Sequence, residues 1–254
     1  MPRDSSKRKL TMDREGEVGI LTLQRAFSLN SEGKIALTEA IVELSNSDSP
    51  RALLLNALDP RAFLVDVEEL ADMQASNARL FSAAGHKLAQ AIEQAPFPVI
   101  AAVEGQALGG GCELVLACDL AVAGEDATFG QIEALGGVMP GFGGTWRLAR
   151  RIGYQRALEM LFTATVIGAH TALSYGLILE VTERGKSLES AKVLAERISR
   201  TSKASISAIK LAASVGWNLP PTAADAFEEV LFPTLFGPEQ SARMHAYLKQ
   251  QEGD

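Results

Sequence analysis

Apolar residues recur along this chain in two rhythms, short continuous runs and longer stretches spaced at three and four. The runs VGILTL (18–23) and RALLLNAL (51–58) predict strands, since runs this short and this apolar suit a sheet covered on both faces. Between them, SEGKIALTEAIVELSNS (31–47) predicts a helix with Ile35, Leu37, Ile41, Val42 and Leu44 as its apolar face. A second cycle follows, with an amphipathic stretch from about Asn77 to Gln94, a turn at Pro96-Phe97-Pro98 and the strand VIAAVEG (99–105). A third brings a helix after Gly109, Gly110 and Gly111, the strand DLAVAG (119–124) and the segment ATFGQ (127–131). This rhythm predicts a parallel, stacked α/β arrangement. From Pro140 onward the pattern turns helical, over 153–164, 187–202, 205–215, 222–236 and 238–250, with breaks at Pro220-Pro221 and Gly237-Pro238. These later helices must bury their apolar faces on their own domain, on other subunits, or on both. The sequence shows neither a clean repeat nor a low-complexity linker.

Composition narrows the class. At 254 residues, 47% hydrophobic and 22% charged, the chain reads as an ordinary soluble protein with one large domain or a core plus appendage. No apolar run approaches the roughly 18 residues that a membrane-spanning helix needs. The first residues carry charges of both signs and no apolar core, so they do not read as a secretory signal; Lys7, Arg8 and Lys9 read as a short solvated tail. A net charge of −7 argues against a general nucleic-acid binder. Cys112 and Cys118 lie in one apolar segment without metal-ligand spacing, which predicts buried free thiols and a reducing, cytoplasmic setting.

The candidate chemistry centres on GQALGGGCELVLACDL (105–120). A helix start offers unpaired N–H groups and the positive end of a dipole, and glycine lets a ligand approach that backbone closely. Tight helix–strand packing explains a glycine triplet equally well. Glu113 falls in the first turn, where the dipole favours a carboxylate; a plain capping charge is the alternative. Glu133 lies among Phe129, Ile132, Ala134 and Leu135 with glycines on both sides, a setting that can raise a carboxyl pKa; a loop charge is the alternative there. Two carboxyls in different environments are suited to proton transfer, one as base and one as acid. Phosphate-cradling motifs are excluded, because the glycines fit neither a P-loop nor a dinucleotide fingerprint, and PGFGGTWRL lacks a Lys or Ser partner.

Taken together, PVIAAVEGQALGGGCELVLACDLAVAGEDATFGQIEALGGVMPGFGGTWRLARRIGYQRALEMLFTA resembles the enoyl-CoA hydratase/isomerase (crotonase) superfamily, with weaker agreement along nearly the whole chain. The resemblance implies an α/β fold, a crotonase-like spiral of repeated ββα units (1–195) with a C-terminal helical trimerisation region (196–254). It implies homotrimers or dimers of trimers, and an acyl thioester of coenzyme A as substrate with no cofactor, metal, nucleic acid or membrane partner. It further implies that the Gly110 N–H is one of two donors to the thioester oxygen, and that Glu113 and Glu133 are the base and acid of a hydratase. Arg25, Arg61, Asp66, Gly109, Gly137 and Lys249 fall at positions that the resemblance associates with substrate binding.

The chain departs from the family pattern where the other oxyanion donor is expected. RAFLVDVEEL (61–70) is two residues shorter than the usual segment, and alignment on Asp66 puts Val65 at the donor position. Glu68, Phe27, Ile132 and Trp146 stand where the family commonly has Lys, Lys, Pro and Gln, and AYLKQQ near the C-terminus replaces AFLEKR, leaving Tyr247 and Lys249 as shifted substitutes. Retention of both acids favours hydratase chemistry. The altered donor segment motivates the alternatives of an isomerase, a thioester hydrolase or lyase, or a non-catalytic acyl-CoA-binding or assembly protein.

Overall fold

A computed structural model describes residues 9–251 apart from 26, 48, 60–62 and 65–66, and gives no account of the side chains of 64, 67 and 68. In chain order it contains β1 (Leu10–Glu15), β2 (Val18–Leu23), α1 (Ser31–Asn46), β3 (Ala52–Ala57), β4 (Phe63–Leu64), α2 (Val67–Ala71) and α3 (Ala75–Gln94). There follow β5 (Val99–Val103), β6 (Gln106–Leu108), α4 (Gly110–Ala117), β7 (Leu120–Gly124), β8 (Thr128–Gly130), a 3-10 turn (Glu133–Gly136), α5 (Gly144–Ile152) and α6 (Tyr154–Thr163). The chain continues through β9 (Val166–Gly168), α7 (Ala169–Tyr175), β10 (Glu180–Thr182) and α8 (Ser187–Ser199). Last come α9 (Lys203–Gly216), α10 (Pro221–Leu231), a second 3-10 turn (Phe232–Leu235) and α11 (Pro238–Gln251). Two compact units divide these elements, residues 1–200 and 201–254.

In the first unit the described strands form a six-stranded sheet, β1-β2-β3-β5-β7-β10, and a four-stranded sheet, β4-β6-β8-β9. All neighbours in the larger sheet are parallel except the β1–β2 hairpin, and in the smaller one all except β8–β9. The parallel core agrees with the continuous apolar runs of β2, β3 and β5. Side chains alternate across the large sheet at period two. Val18, Ile20, Ala52, Leu54, Ile100 and Ala102 face α8 through Ala191 and Ala195, whereas Leu21, Leu23, Leu53, Leu55, Val99 and Ala101 join the main core. Two alanines one turn apart let α8 lie close to the sheet.

The structure corrects the sequence reading in the region after Pro140 and on the face of α1. β9 and β10 interrupt the region after Pro140 that reads as helical, and β10 closes an edge of the large sheet. The buried face of α1 consists of Gly33, Lys34, Leu37 and Ile41, while Ile35 and Val42 are 51% and 43% exposed. At 100° per residue, positions 34, 37, 41 and 44 form one stripe, and 35 and 42 lie roughly a quarter-turn away. Ranking the helix by hydropathy therefore chose Ile35 over Lys34, and packing chose the reverse.

The second unit packs α9 against α10. The Ser202 hydroxyl accepts the Ser205 N–H as an N-cap of α9, and Pro221 opens α10, where its missing N–H costs nothing. The segment 222–236, one helix in the sequence reading, breaks at residue 232 into a 3-10 turn containing Pro233.

The phase of α1 is checked by chemical denaturation of two variants. Leu37→Ala is expected to cost about 2–5 kcal/mol, and Ile35→Ala within about 0.5 kcal/mol of zero; equal losses would contradict the assigned face.

Candidate active site

β6 delivers the glycine triplet to the start of α4. Gly109 is the N-cap residue, at φ +54°, and its N–H donates to the Gly130 carbonyl of β8 at 2.8 Å. Gly110 is the first helical residue, so its N–H belongs to the opening turn of α4. Gly111 answers the packing half of the question that the triplet raises: a Cβ there would stand 1.4 Å from the Phe63 carbonyl oxygen of β4. Close backbone approach thus requires glycine at 111, while the φ at 109 sets the entry into the helix.

Glu113 is 1% exposed. One carboxylate oxygen, Oε1, accepts the N–H groups of Phe142 at 2.9 Å and Gly144 at 2.7 Å. Gly144 is the first residue of α5, so the carboxylate lies at the positive end of α5 in addition to standing in the first turn of α4. These donors favour the ionised form, yet burial outweighs them and raises the carboxyl pKa above its ordinary value. The first turn of α4 favours a carboxylate on local grounds alone; the opposing burial comes from the fold and has no local sign in the sequence.

Glu133 opens the 3-10 turn after β8. Burial, joined by repulsion from Glu113, raises its carboxyl pKa to about 7. The carboxyl approaches Gly109 closely, and a Cβ on that glycine would stand 3.2 Å from Glu133 Oε1. The Gln131 amide, 1% exposed, stands beside the Glu133 carboxyl, and the amide orientation that satisfies both of its polar atoms has its nitrogen donate to the two Glu133 oxygens at 3.1 and 3.2 Å. Cys112 lies beside this pair, its thiol pushed up to about 12 mainly by burial, and both cysteine side chains are buried. Glycine triplet, Glu113 and Glu133 therefore converge on one site, with two carboxyls near enough to influence each other and both biased toward proton uptake.

The loop that holds Glu113 is itself anchored. Arg147 of α5 donates from Nη1 to the Phe142 carbonyl at 2.7 Å and grips the Glu93 carboxylate of α3 at 2.7 and 2.9 Å. The Ser82 hydroxyl of α3 donates to the Gly141 carbonyl. Phe142 is 1% exposed. Among the described residues, no cluster of three or more His, Cys, Asp or Glu side chains is placed to hold a metal ion.

Comparison with known proteins bears on this arrangement directly. The sequence model of the enoyl-CoA hydratase/isomerase family matches residues 13–252. The chain belongs to that family. It is 34% identical over 247 residues to a short-chain-enoyl-CoA hydratase of Clostridium acetobutylicum, covering 95% of each chain. It is 33% identical over 251 residues to a crotonyl-CoA hydratase of Syntrophomonas wolfei, covering 96% of each. Among solved structures, an enoyl-CoA hydratase from Bacillus anthracis superposes with a TM-score of 0.90 at 30% identity, covering 95% of this chain and 96% of that one. The crotonase fold expected from the resemblance is thus the fold of this chain.

Within this enoyl-CoA hydratase/isomerase fold, the residues singled out from sequence fall into four groups. Gly109, Gly110, Glu113 and Glu133 come together as described. Gly137, left-handed and exposed, ends the 3-10 turn that begins at Glu133, and Arg25 is exposed after β2. Lys249 and Tyr247 are exposed on α11 of the second unit. Arg61, Val65 and Asp66 lie outside the described residues. Phe142 and Gly144 are functional residues that the sequence does not single out: PGFGG fails as a phosphate loop, and its one local signal is a glycine-rich turn opening a helix. Nor does the sequence single out Lys34, fully buried behind the site, and it marks Trp146 only as a departure, whereas Trp146 lies 4.1 and 4.7 Å from the Arg147 and Arg150 guanidiniums.

Gly111→Ala tests the close crossing of β4 over α4. Denaturant titration is expected to show a loss of about 1–3 kcal/mol or more from the forced backbone shift, and a stability equal to that of the parent would contradict it.

Proposed function

We propose that this chain is an enoyl-CoA hydratase, adding water across the 2,3 double bond of an α,β-unsaturated acyl-CoA. The observation that carries the reading is the pair Glu113 and Glu133, both kept, both partly or fully buried and both raised in pKa. The names of the relatives in Clostridium acetobutylicum and Syntrophomonas wolfei support a short acyl chain.

In this mechanism one water is held between the two carboxyls. Glu113 accepts its proton as the oxygen bonds to Cβ, and the double-bond electrons move into the thioester carbonyl to give an enolate. The enolate oxygen is held by the Gly110 N–H at the start of α4, a donor aimed at charge that develops during the reaction; the other donor is assigned to the Val65 N–H by its place in the sequence alone. Glu133 then gives its proton to Cα, leaving Glu133 ionised and Glu113 protonated, and solvent exchange restores both. No electrons leave the substrate, so the thioester needs no redox cofactor. Arg25, Arg61, Asp66, Gly109, Gly137 and Lys249 serve substrate binding on this reading.

Self-association fits the second unit, where the large apolar side chains of Trp217, Val230 and Phe232 are 68%, 74% and 63% exposed. We assign that surface to contacts between copies in a trimer or dimer of trimers.

Crotonyl-CoA hydration, followed by loss of its enoyl absorbance, tests the reading. Glu113→Gln and Glu133→Gln are each expected to lower kcat by about 10²–10⁴-fold with the fold intact. An acid must hold its proton and a base must have lost its own, so kcat/KM is expected to fall as pH rises through about 7, the Glu133 value. Its fall on the acid side is expected above the ordinary carboxylate range. Full activity in either variant, or an inert folded parent, overturns the proposal.

A further inference from the structure

Lys34 has no place in the reaction as written, yet it is 0% exposed beside the site. Among the described residues its Nζ finds no hydrogen-bond partner. The ammonium sits over the Phe81 ring of α3, 2.9 Å from the centroid, and 5.4 Å from the centroid of Phe142. Phe142 is the residue whose backbone N–H donates to Glu113. The carboxylates whose charge reaches Lys34 are Glu69 of α2 and Glu113 of α4, while α3 and the 140–143 loop present the two rings. Glu69 already accepts the backbone N–H and hydroxyl of Ser31 at 3.0 and 2.5 Å. Glu113 faces the N–H groups of Phe142 and Gly144, the charge of Lys34 and the carboxyl of Glu133.

A buried ammonium without a hydrogen-bonded partner is costly, and an aromatic face offsets only part of that cost. A buried carboxylate has the mirror-image problem, and in a weakly polarisable interior each charge eases the ionisation of the other. We propose that Lys34 is a positioning residue for the reaction: its buried ammonium holds Glu113 in the ionised form that removes a proton from water, while seating the Phe142 ring whose backbone binds Glu113. The proposal rests on the reading of Glu113 as base. The depression of Lys34 to about 7 by burial, opposed by Glu69 and Glu113, is consistent with an ammonium dependent on those carboxylates for its charge.

The sign of the effect separates this role from plain packing. Removing the cation raises the Glu113 pKa further, so the acid-side fall of kcat/KM moves to higher pH and activity recovers once the pH passes the new value. A purely structural defect lowers kcat/KM by the same factor at every pH. Lys34→Met, with crotonyl-CoA, is expected to shift the acid limb upward by about one pH unit, a tenfold loss below it; an unmoved limb overturns the proposal. The reciprocal effect needs no turnover. In the full-length protein, the Lys34 side-chain resonance followed by NMR is expected to titrate at lower pH in Glu113→Gln than in the parent, because linkage is mutual. An unchanged Lys34 titration overturns the pairing whether or not Lys34→Met folds. An inert parent with a shifted titration instead sinks the hydratase reading and leaves the pairing standing.

Discussion

The acceptance of two backbone N–H groups by one oxygen of Glu113 is the contact on which the rest of the site depends. A carboxylate removed from water needs donors within the protein, and burying it without them costs several kcal/mol. The donors are Phe142 and Gly144, about thirty residues downstream, so the contact fixes the start of α5 against the start of α4. Everything around it serves that junction. Gly111 lets β4 cross the helix at backbone distance, and the Glu93–Arg147 pair ties α5 back to α3 while Arg147 also satisfies the Phe142 carbonyl.

The same burial that makes the contact necessary also sets the protonation of the two carboxyls. In water both glutamates would be ionised at neutral pH and neither could donate a proton. Here burial raises both, and mutual repulsion raises Glu133 further, to about 7. A pair that interacts this closely titrates as a unit, and acid and base are roles within that unit. For the proposed hydration, the helix ends and glycine backbone would provide fixed dipoles that need no rearrangement as charge moves from water oxygen to enolate.

Much of this was legible in the sequence. The apolar runs at 18–23, 52–57 and 99–103 are buried parallel strands because no other element suits runs so short and so uniformly apolar. The glycine triplet, Glu113 and Glu133, singled out together in the sequence, are brought together in the structure. What was not legible depended on contacts between distant segments. Nothing local in PGFGG says that its N–H groups meet a glutamate, and nothing in SEGKIALTEA says that Lys34 is inside while Ile35 faces water. β1 escaped because its residues are almost all exposed at a sheet edge, where neither alternation nor an apolar run marks it.

The central claim is that Glu113 and Glu133 flank the reacting carbons of an acyl-CoA. A crystal structure with an unreactive acyl-CoA bound tests it most directly. The expected result places a carboxyl oxygen of each glutamate within about 3–3.5 Å of one shared water or of Cα and Cβ, near-attack distances, with the thioester oxygen about 3 Å from the Gly110 N–H. An acyl chain seated away from both carboxyls, or a thioester oxygen out of reach of Gly110, would contradict the account.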